Sequence, residues 1–200
     1  MTKRPRVASF ISCDPSSIHT TVAVGDSITQ GGPALLGGYR APLFRANPGL
    51  KFLGREYFVG YNEGYGGYRI DEIAAVVLPY LPSIAPDAVL LLAGTNNIFQ
   101  GQSAATAFAL YQQFAIDLKA IVGVNHVLVA TIPEVSTAPA VRAAYNALVM
   151  GWSPPAGITV HDISGTLIYP TDYADGLHPN QAGYDKMAIE WDTAVQAVVF

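Results

Sequence analysis

The sequence predicts an α/β sandwich built on a parallel sheet, and three observations carry that prediction. Short β-rich apolar runs alternate with segments of helical period along the chain. The run Ala88–Leu92 is apolar without interruption, the pattern of a strand covered on both faces. Half of the 200 residues are apolar and only 13% are charged, against about 25% in an ordinary soluble domain, which supplies a core and excludes intrinsic disorder.

In chain order, residues 1–18 read as an N-terminal arm and residues 19–200 as one domain, with no repeat or linker-like composition shift inside it. Thr20–Val24 is a β-branched run ending at Gly25 and predicts the first strand, followed by a weaker candidate at Lys51–Leu53. Asn62 to Asp71, rich in glycine, reads as a loop, and a short helix is expected from Asp71 to about Leu81. After the Ala88–Leu92 strand, Phe108, Tyr111, Phe114, Ala115, Leu118 and Ile121 keep three-and-four spacing, with Ser103 placed to cap that helix and Gly123 to end it. His126–Ala130 and Ile158–His161 repeat the strand character, with a helix between them from Ala138 to Met150. A last apolar stripe, Tyr184, Met187, Ala188, Trp191, Val195 and Val198, predicts a closing helix with Asn180 as its N-cap. Right-handed crossovers between parallel strands place such helices on both faces of the sheet, and ligands then bind beyond the carboxyl ends of the strands.

The formal charge is −4, and since Lys3, Arg4 and Arg6 fall in the first six positions, the remainder carries −7. No nucleic-acid partner is expected from that balance. The lone Cys13 forms no internal disulfide and excludes a Cys-rich zinc site. Val7–Ile11 is shorter than a signal-peptide apolar region, and no run reaches the length of a membrane span. The expectation is a soluble chain with no evident signal peptide, cytoplasmic or exported within a larger assembly. Compartment and oligomeric state are left open.

Chemistry is concentrated just after the apolar runs. Gly25-Asp26-Ser27 follows the first strand; a serine there can present its hydroxyl at the mouth of the sheet, or it can simply cap the next turn. It is not a Gly-x-Ser-x-Gly elbow, because position 29 is threonine. In Asp175-Gly176-Leu177-His178 a carboxylate three residues before a histidine can fix the imidazole tautomer and leave the other nitrogen to take a proton; the alternative is turn and cap hydrogen bonding. Asn96, in Gly94-Thr95-Asn96-Asn97, can donate to a developing oxyanion or make an Asx turn. The glycines around Gly67 let backbone N–H groups approach a ligand, but Arg69 breaks the Gly-x-Gly-x-x-Gly phosphate pattern. His161 and Asp162 lack third and fourth partners at metal-ligand spacing, so no metal is expected. Tyr57, Tyr61, Tyr65 and Tyr68 could stack on sugar rings or serve as packing residues. Arg40 and Arg69 are expected to be ion-paired locally.

In order, Gly25-Asp26-Ser27, Gly67, Gly94-Thr95-Asn96 and Asp175-x-x-His178 resemble the four blocks of the SGNH, or GDSL-type, hydrolases over roughly residues 20–198. The resemblance implies a three-layer α/β/α flavodoxin-like sandwich with about five parallel strands in the order 2-1-3-4-5. It implies Ser27 as nucleophile, His178 as base, Asp175 as its orienter, and an oxyanion hole from the Ser27 and Gly67 N–H groups and the Asn96 amide, with no cofactor. Glu63 through Asp71, Gly38-Tyr39-Arg40, and Asp175 through Asn180 followed by Gly183-Tyr184 and Lys186-Met187-Ala188 are similar to carbohydrate esterase family three, which includes acetyl xylan esterases. Two departures are Asn97, where many relatives carry Asp, and Gly66, where serine is common. The expected function is a serine esterase removing small acyl groups, acetyl above all, from a carbohydrate or similar small-molecule ester. The alternatives are a non-catalytic carbohydrate-binding or adhesin module on the same fold, and a lipase- or thioesterase-type member acting through the same residues.

Overall fold

Strand β1 (His19–Asp26) lies at the centre of a seven-stranded sheet in the computed structural model, which describes residues 19–34, 36–134 and 136–198. The N-terminal arm, with Cys13, lies outside the described residues. On one side β1 runs parallel to β5 (Ala88–Leu92), and β6 (His126–Ala130) and β7 (Ile158–His161) follow outward, all parallel. On the other side two short strands share one place: β2 (Leu50–Leu53) pairs with the first half of β1, and β4 (Tyr61–Tyr65) with its last three residues. Counting that shared place once, the parallel order is 2-1-3-4-5. An antiparallel edge strand β3 (Glu56–Tyr57) extends it beyond β4.

Residues 61–65 are therefore strand, where the sequence reads as loop. The pattern is uninformative because Asn62 and Glu63 are polar and Gly64 has little β propensity. Their buried polar groups are satisfied locally: Glu63 accepts from the backbone and guanidinium of Arg55, and Asn62 Oδ1 from the Gly64 N–H.

Strand side chains alternate between two cores, which explains why the central strands are apolar throughout. Val22, Val24, Val89, Leu91, Val127 and Val129 face helices α3 (Ile70–Val77), α5 (Ala104–Ala120) and α6 (Pro139–Met150). Leu90, Leu92, Leu128 and Ala130 face α2 (Arg40–Ala46) and α7 (Gln181–Val198), where Tyr39, Leu43, Tyr184, Met187 and Trp191 are fully buried. The expected α7 stripe is the buried one. Ser103 caps α5, accepting from the Thr106 N–H at 3.1 Å, and Asn180 Oδ1 caps α7 through the Gly183 N–H at 3.0 Å. Helix α5 ends at Ala120, before Gly123, and α3 ends at Val77, short of Leu81, which begins a separate 3₁₀ turn rich in proline. Helices α1 (Ser27–Gln30) and α4 (Thr95–Phe99) are too short to show a period and sit at the ends of β1 and β5.

Two buried tyrosines hold the end of β5 in place. The Tyr111 hydroxyl donates to the Leu91 carbonyl at 2.6 Å and accepts from the Ala130 N–H at 2.9 Å, while the Tyr145 hydroxyl donates to the Ala93 carbonyl at 2.9 Å. Satisfied buried polar groups of this kind fix backbone position, and the loop that carries Asn96 begins there.

Candidate active site

Gly25 is required by space. A Cβ there would stand 2.1 Å from the Leu92 carbonyl oxygen and 2.3 Å from Thr29 Oγ1, so only glycine lets β1 pass β5 and turn at once into α1. Asp26 caps that short helix, accepting from the Ile28 N–H at 2.9 Å, and Ser27 is its first residue. The cap is thus Asp26, and the serine hydroxyl is left for another partner.

That partner is His178, 151 residues away, with Ser27 Oγ and His178 Nε2 2.9 Å apart. On the other side of the ring, His178 Nδ1 is 2.9 Å from Asp175 Oδ2. The second carboxylate oxygen, Asp175 Oδ1, accepts from the Leu177 and His178 N–H groups, each at 2.7 Å. Burial raises the Asp175 carboxyl, but hydrogen bonds from the His178 backbone and ring and from Leu177 outweigh it, holding it below its ordinary value. Asp175 is therefore an anion with a fixed orientation.

The segment that carries Asp175 and His178 is closed into a small hairpin. Ala174 and Asn180 N–H groups donate to the His178 and Asp172 carbonyls, both at 2.9 Å. The Asp172 side chain accepts from the Ile168 N–H at 2.7 Å and from Lys186 at 2.6 Å, tying the hairpin to α7. Asp172 supports the site without a signal in the sequence, because it belongs to no motif; Lys186 lies in the segment that resembles carbohydrate esterase family three.

Asn96 and Gly67 meet through one carbonyl. Asn96 Nδ2 donates to the Tyr68 oxygen at 3.0 Å, which uses one amide hydrogen and leaves the other. Residues 65–68 form a β-turn closed by the Tyr68 N–H and the Tyr65 carbonyl at 3.2 Å, with Gly67 at φ +80° in its third position; that backbone favours glycine there. The turn lies beside the serine, since a Cβ on Gly66 would be 3.7 Å from Ser27 Cβ. Asn97 takes over the support expected of an aspartate: its Oδ1 accepts from the Ile70 N–H at 3.0 Å and its Nδ2 donates to Gln102 at 2.9 Å. The substitution thus keeps the loop docked on the start of α3. His161 and Asp162 bond to Thr159 and Thr131, and among the described residues no group of three or more His, Cys, Asp or Glu could hold a metal.

The four tyrosines separate into two pairs. Tyr65 and Tyr68 stack at 5.6 Å beside the Gly67 turn, with the Tyr65 hydroxyl donating to the buried Glu63 carboxylate at 2.5 Å. Tyr57 and Tyr61 form an edge-to-face pair at 5.2 Å on the β3–β4 hairpin. Arg69 is ion-paired with Asp71 and Glu72, as expected. Arg40 is not: it is buried and donates to the carbonyls of Thr29, Gln30, Phe58, Gly60 and Tyr61. No carboxylate is needed, because a guanidinium's fork of donors can be filled by carbonyls alone.

Asp26 has the most perturbed carboxyl of the site. Complete burial pushes it up to about 6, against the opposing pull of the Ile28 N–H, the charge of His178 and the nearby Thr95 hydroxyl. Its Oδ2 makes no hydrogen bond, and neither does the Thr95 hydroxyl. A carboxyl whose value rises on folding from 3.8 to about 6 binds a proton in the folded state that the unfolded chain releases. Its contribution to stability is full below pH ~4 and is lost as pH rises toward 6, on the order of 3 kcal/mol in all. Asp26→Asn keeps an oxygen for the Ile28 N–H and supplies a donor for Thr95. The variant is expected to unfold at higher temperature than wild type at pH 8, with the gap closing toward pH 4; thermal unfolding at both pH values checks this, and equal midpoints at pH 8 would refute it.

Comparison with known proteins identifies a family and a shared fold. The model of the GDSL-like lipase/acylhydrolase family matches residues 23–186. A multidomain esterase of Ruminococcus flavefaciens is 26% identical over 121 residues; the match covers 56% of this chain and 16% of that protein, so the chain spans only a small part of its curated relative. Among solved structures, a carbohydrate esterase family 3 protein of Talaromyces cellulolyticus superposes with a TM-score of 0.76 at 18% identity, covering 91% of this chain and 98% of that one. The Clostridium thermocellum family 3 carbohydrate esterase gives 0.75 at 23% identity, covering 91% and 97%. An acetyl esterase mutant with acetate ion gives 0.77 at 18% identity, covering 91% and 98%. At these identities the structures establish the shared fold.

Proposed function

The chain belongs to the GDSL-like lipase/acylhydrolase family and is an ester-hydrolysing enzyme, and from that premise we propose that it removes small acyl groups, acetyl above all, from carbohydrate through Ser27, His178 and Asp175. The observation that carries this reading is the unbroken relay from the Ser27 hydroxyl through both imidazole nitrogens to the Asp175 carboxylate, each link 2.9 Å. His178 Nε2 takes the hydroxyl proton as Ser27 Oγ bonds to the ester carbonyl carbon. Asp175 holds the opposite N–H and offsets the charge on the imidazolium. When the tetrahedral intermediate collapses, the proton passes from Nε2 to the departing alcohol and Ser27 is left acylated. Water then repeats the sequence, and the acid leaves. The carbonyl oxygen gathers negative charge at each addition, and the Ser27 and Gly67 N–H groups and the second amide hydrogen of Asn96 are assigned to receive it. No cofactor enters the scheme, and residues 19–200 serve as the one catalytic domain.

Small acyl groups are favoured by the rim after Ser27. The chain around Gly31, Gly37 and Gly38 folds tightly on itself: a Cβ on Gly31 would stand 2.5 Å from the Gly37 carbonyl carbon, and one on Gly38 2.8 Å from the Gly31 Cα. The Tyr184 hydroxyl braces this loop by donating to the Gly32 carbonyl at 2.6 Å. The roughly 470 Å³ cavity of the molecule is lined by neither Ser27 nor His178. The carbohydrate part of the reading draws on the acetyl and carbohydrate esterases that share the fold. Acetyl p-nitrophenyl ester should be turned over with higher kcat/KM than the octanoyl ester. A preference for octanoyl would overturn the small-acyl assignment.

A further inference from the structure

The cavity of about 470 Å³ lies between α2 and the β2–β4 segment, walled by Phe44, Phe52, Tyr57 and Tyr61. Its volume falls in the range of small-ligand sites. Phe44, Tyr57 and Tyr61 are about half exposed or more, and the two tyrosine rings meet edge to face at 70°, an arrangement that leaves aromatic surface open to solvent. Two cations, Arg45 and Lys51, complete the lining, and no acidic side chain belongs to it. Neither cation has an ion-pair partner among the described residues. Beneath them Arg40 adds a third positive charge, balanced by carbonyls and not by a carboxylate. On a chain whose net charge is −4, this is a locally positive, aromatic-walled groove.

We propose that this groove is a non-catalytic subsite for an acidic oligosaccharide, with sugar faces on the Tyr57–Tyr61 pair and a carboxylate of a uronic acid unit held by Arg45 and Lys51. Amphipathic rings suit the mixed apolar and hydroxylated faces of a sugar, and cations that line the same groove suit a carboxylate. A second copy of the chain fits poorly, because a two-fold interface would set Arg45 and Lys51 against themselves. A lipid surface fits poorly as well, since it calls for protruding aliphatic side chains and a wider basic field. Arg40, which lines the groove, donates to the carbonyls of Thr29 and Gln30 in α1, two and three residues after Ser27. The choice of a glycan over another organic anion rests on the proposed action on carbohydrate; the positive, aromatic character of the groove does not.

The test uses the full chain carrying Ser27→Ala, so that binding is read without turnover. Titration calorimetry with tetragalacturonate should show binding that weakens with added salt. Lys51→Glu and Tyr57→Ala, both at exposed positions, should each weaken it about tenfold or more, while neutral xylotetraose binds at least tenfold less tightly. In the Ser27 background those two substitutions should leave p-nitrophenyl acetate turnover unchanged, which also shows that the variants fold. Equal affinity for the neutral sugar, undiminished binding by the groove variants, or stronger binding to anionic phospholipid vesicles would each overturn the proposal. Failure of the catalytic reading appears separately, as p-nitrophenyl acetate turnover that survives Ser27→Ala.

Discussion

Ser27→Ala is expected to lower kcat for acetyl esters by about 10⁵–10⁶-fold, the scale of losing a serine nucleophile that acts as a unit with its base. The hydroxyl is the atom that becomes acylated, and His178 Nε2 faces it at 2.9 Å with no other side-chain partner. Alanine leaves the base with nothing to activate in the attack on substrate, and the oxyanion donors sustain only residual catalysis. The fold should be untouched, because the hydroxyl's one side-chain hydrogen bond is to the half-buried His178. Steady-state turnover together with circular dichroism checks the result; a folded variant keeping a tenth of the activity would dismiss Ser27 as the nucleophile.

Asn96→Ala is expected to lower kcat by about 10²–10³-fold with KM little changed, because a donor aimed at the developing oxyanion acts in the transition state and not on the bound ester. Asn96 spends one amide hydrogen on the Tyr68 carbonyl, so its orientation is fixed before substrate arrives. Removing it also frees that carbonyl, but the Gly67 turn keeps its closing hydrogen bond and the contact of the Gly67 oxygen with Gln100. The loss should therefore fall on kcat and not on the melting temperature. Unchanged kcat would show that another group receives the charge.

The parts of this site that could be read in the sequence are those whose chemistry is written into adjacent residues. Asp175 and His178 are three apart, and the backbone between them suffices to aim the carboxylate at the ring. The central strands are legible as uninterrupted apolar runs, and α5 and α7 from a period of 3.6. What escaped is what depends on distant partners. Strand β4 is polar and becomes a strand only because Arg55 and β1 satisfy it. Arg40 was expected to find a carboxylate, and five carbonyls from two separate segments took its place. Asp26 sat in the motif but read as a mere neighbour of Ser27, since nothing local announces that its carboxyl will be wholly enclosed between β1 and the Thr95 loop. The tyrosine cluster likewise looks uniform along the chain and divides only when the hairpin folds.

The separation of 151 residues between nucleophile and base ties competence to the order in which the polypeptide is made. Ser27 emerges from the ribosome early, and β1 can pair with β2, β4 and β5 long before His178 exists. The base arrives only with the hairpin that Lys186 anchors to α7, so under the proposed mechanism the scaffold around Ser27 is laid down in chain order before the group that would activate it.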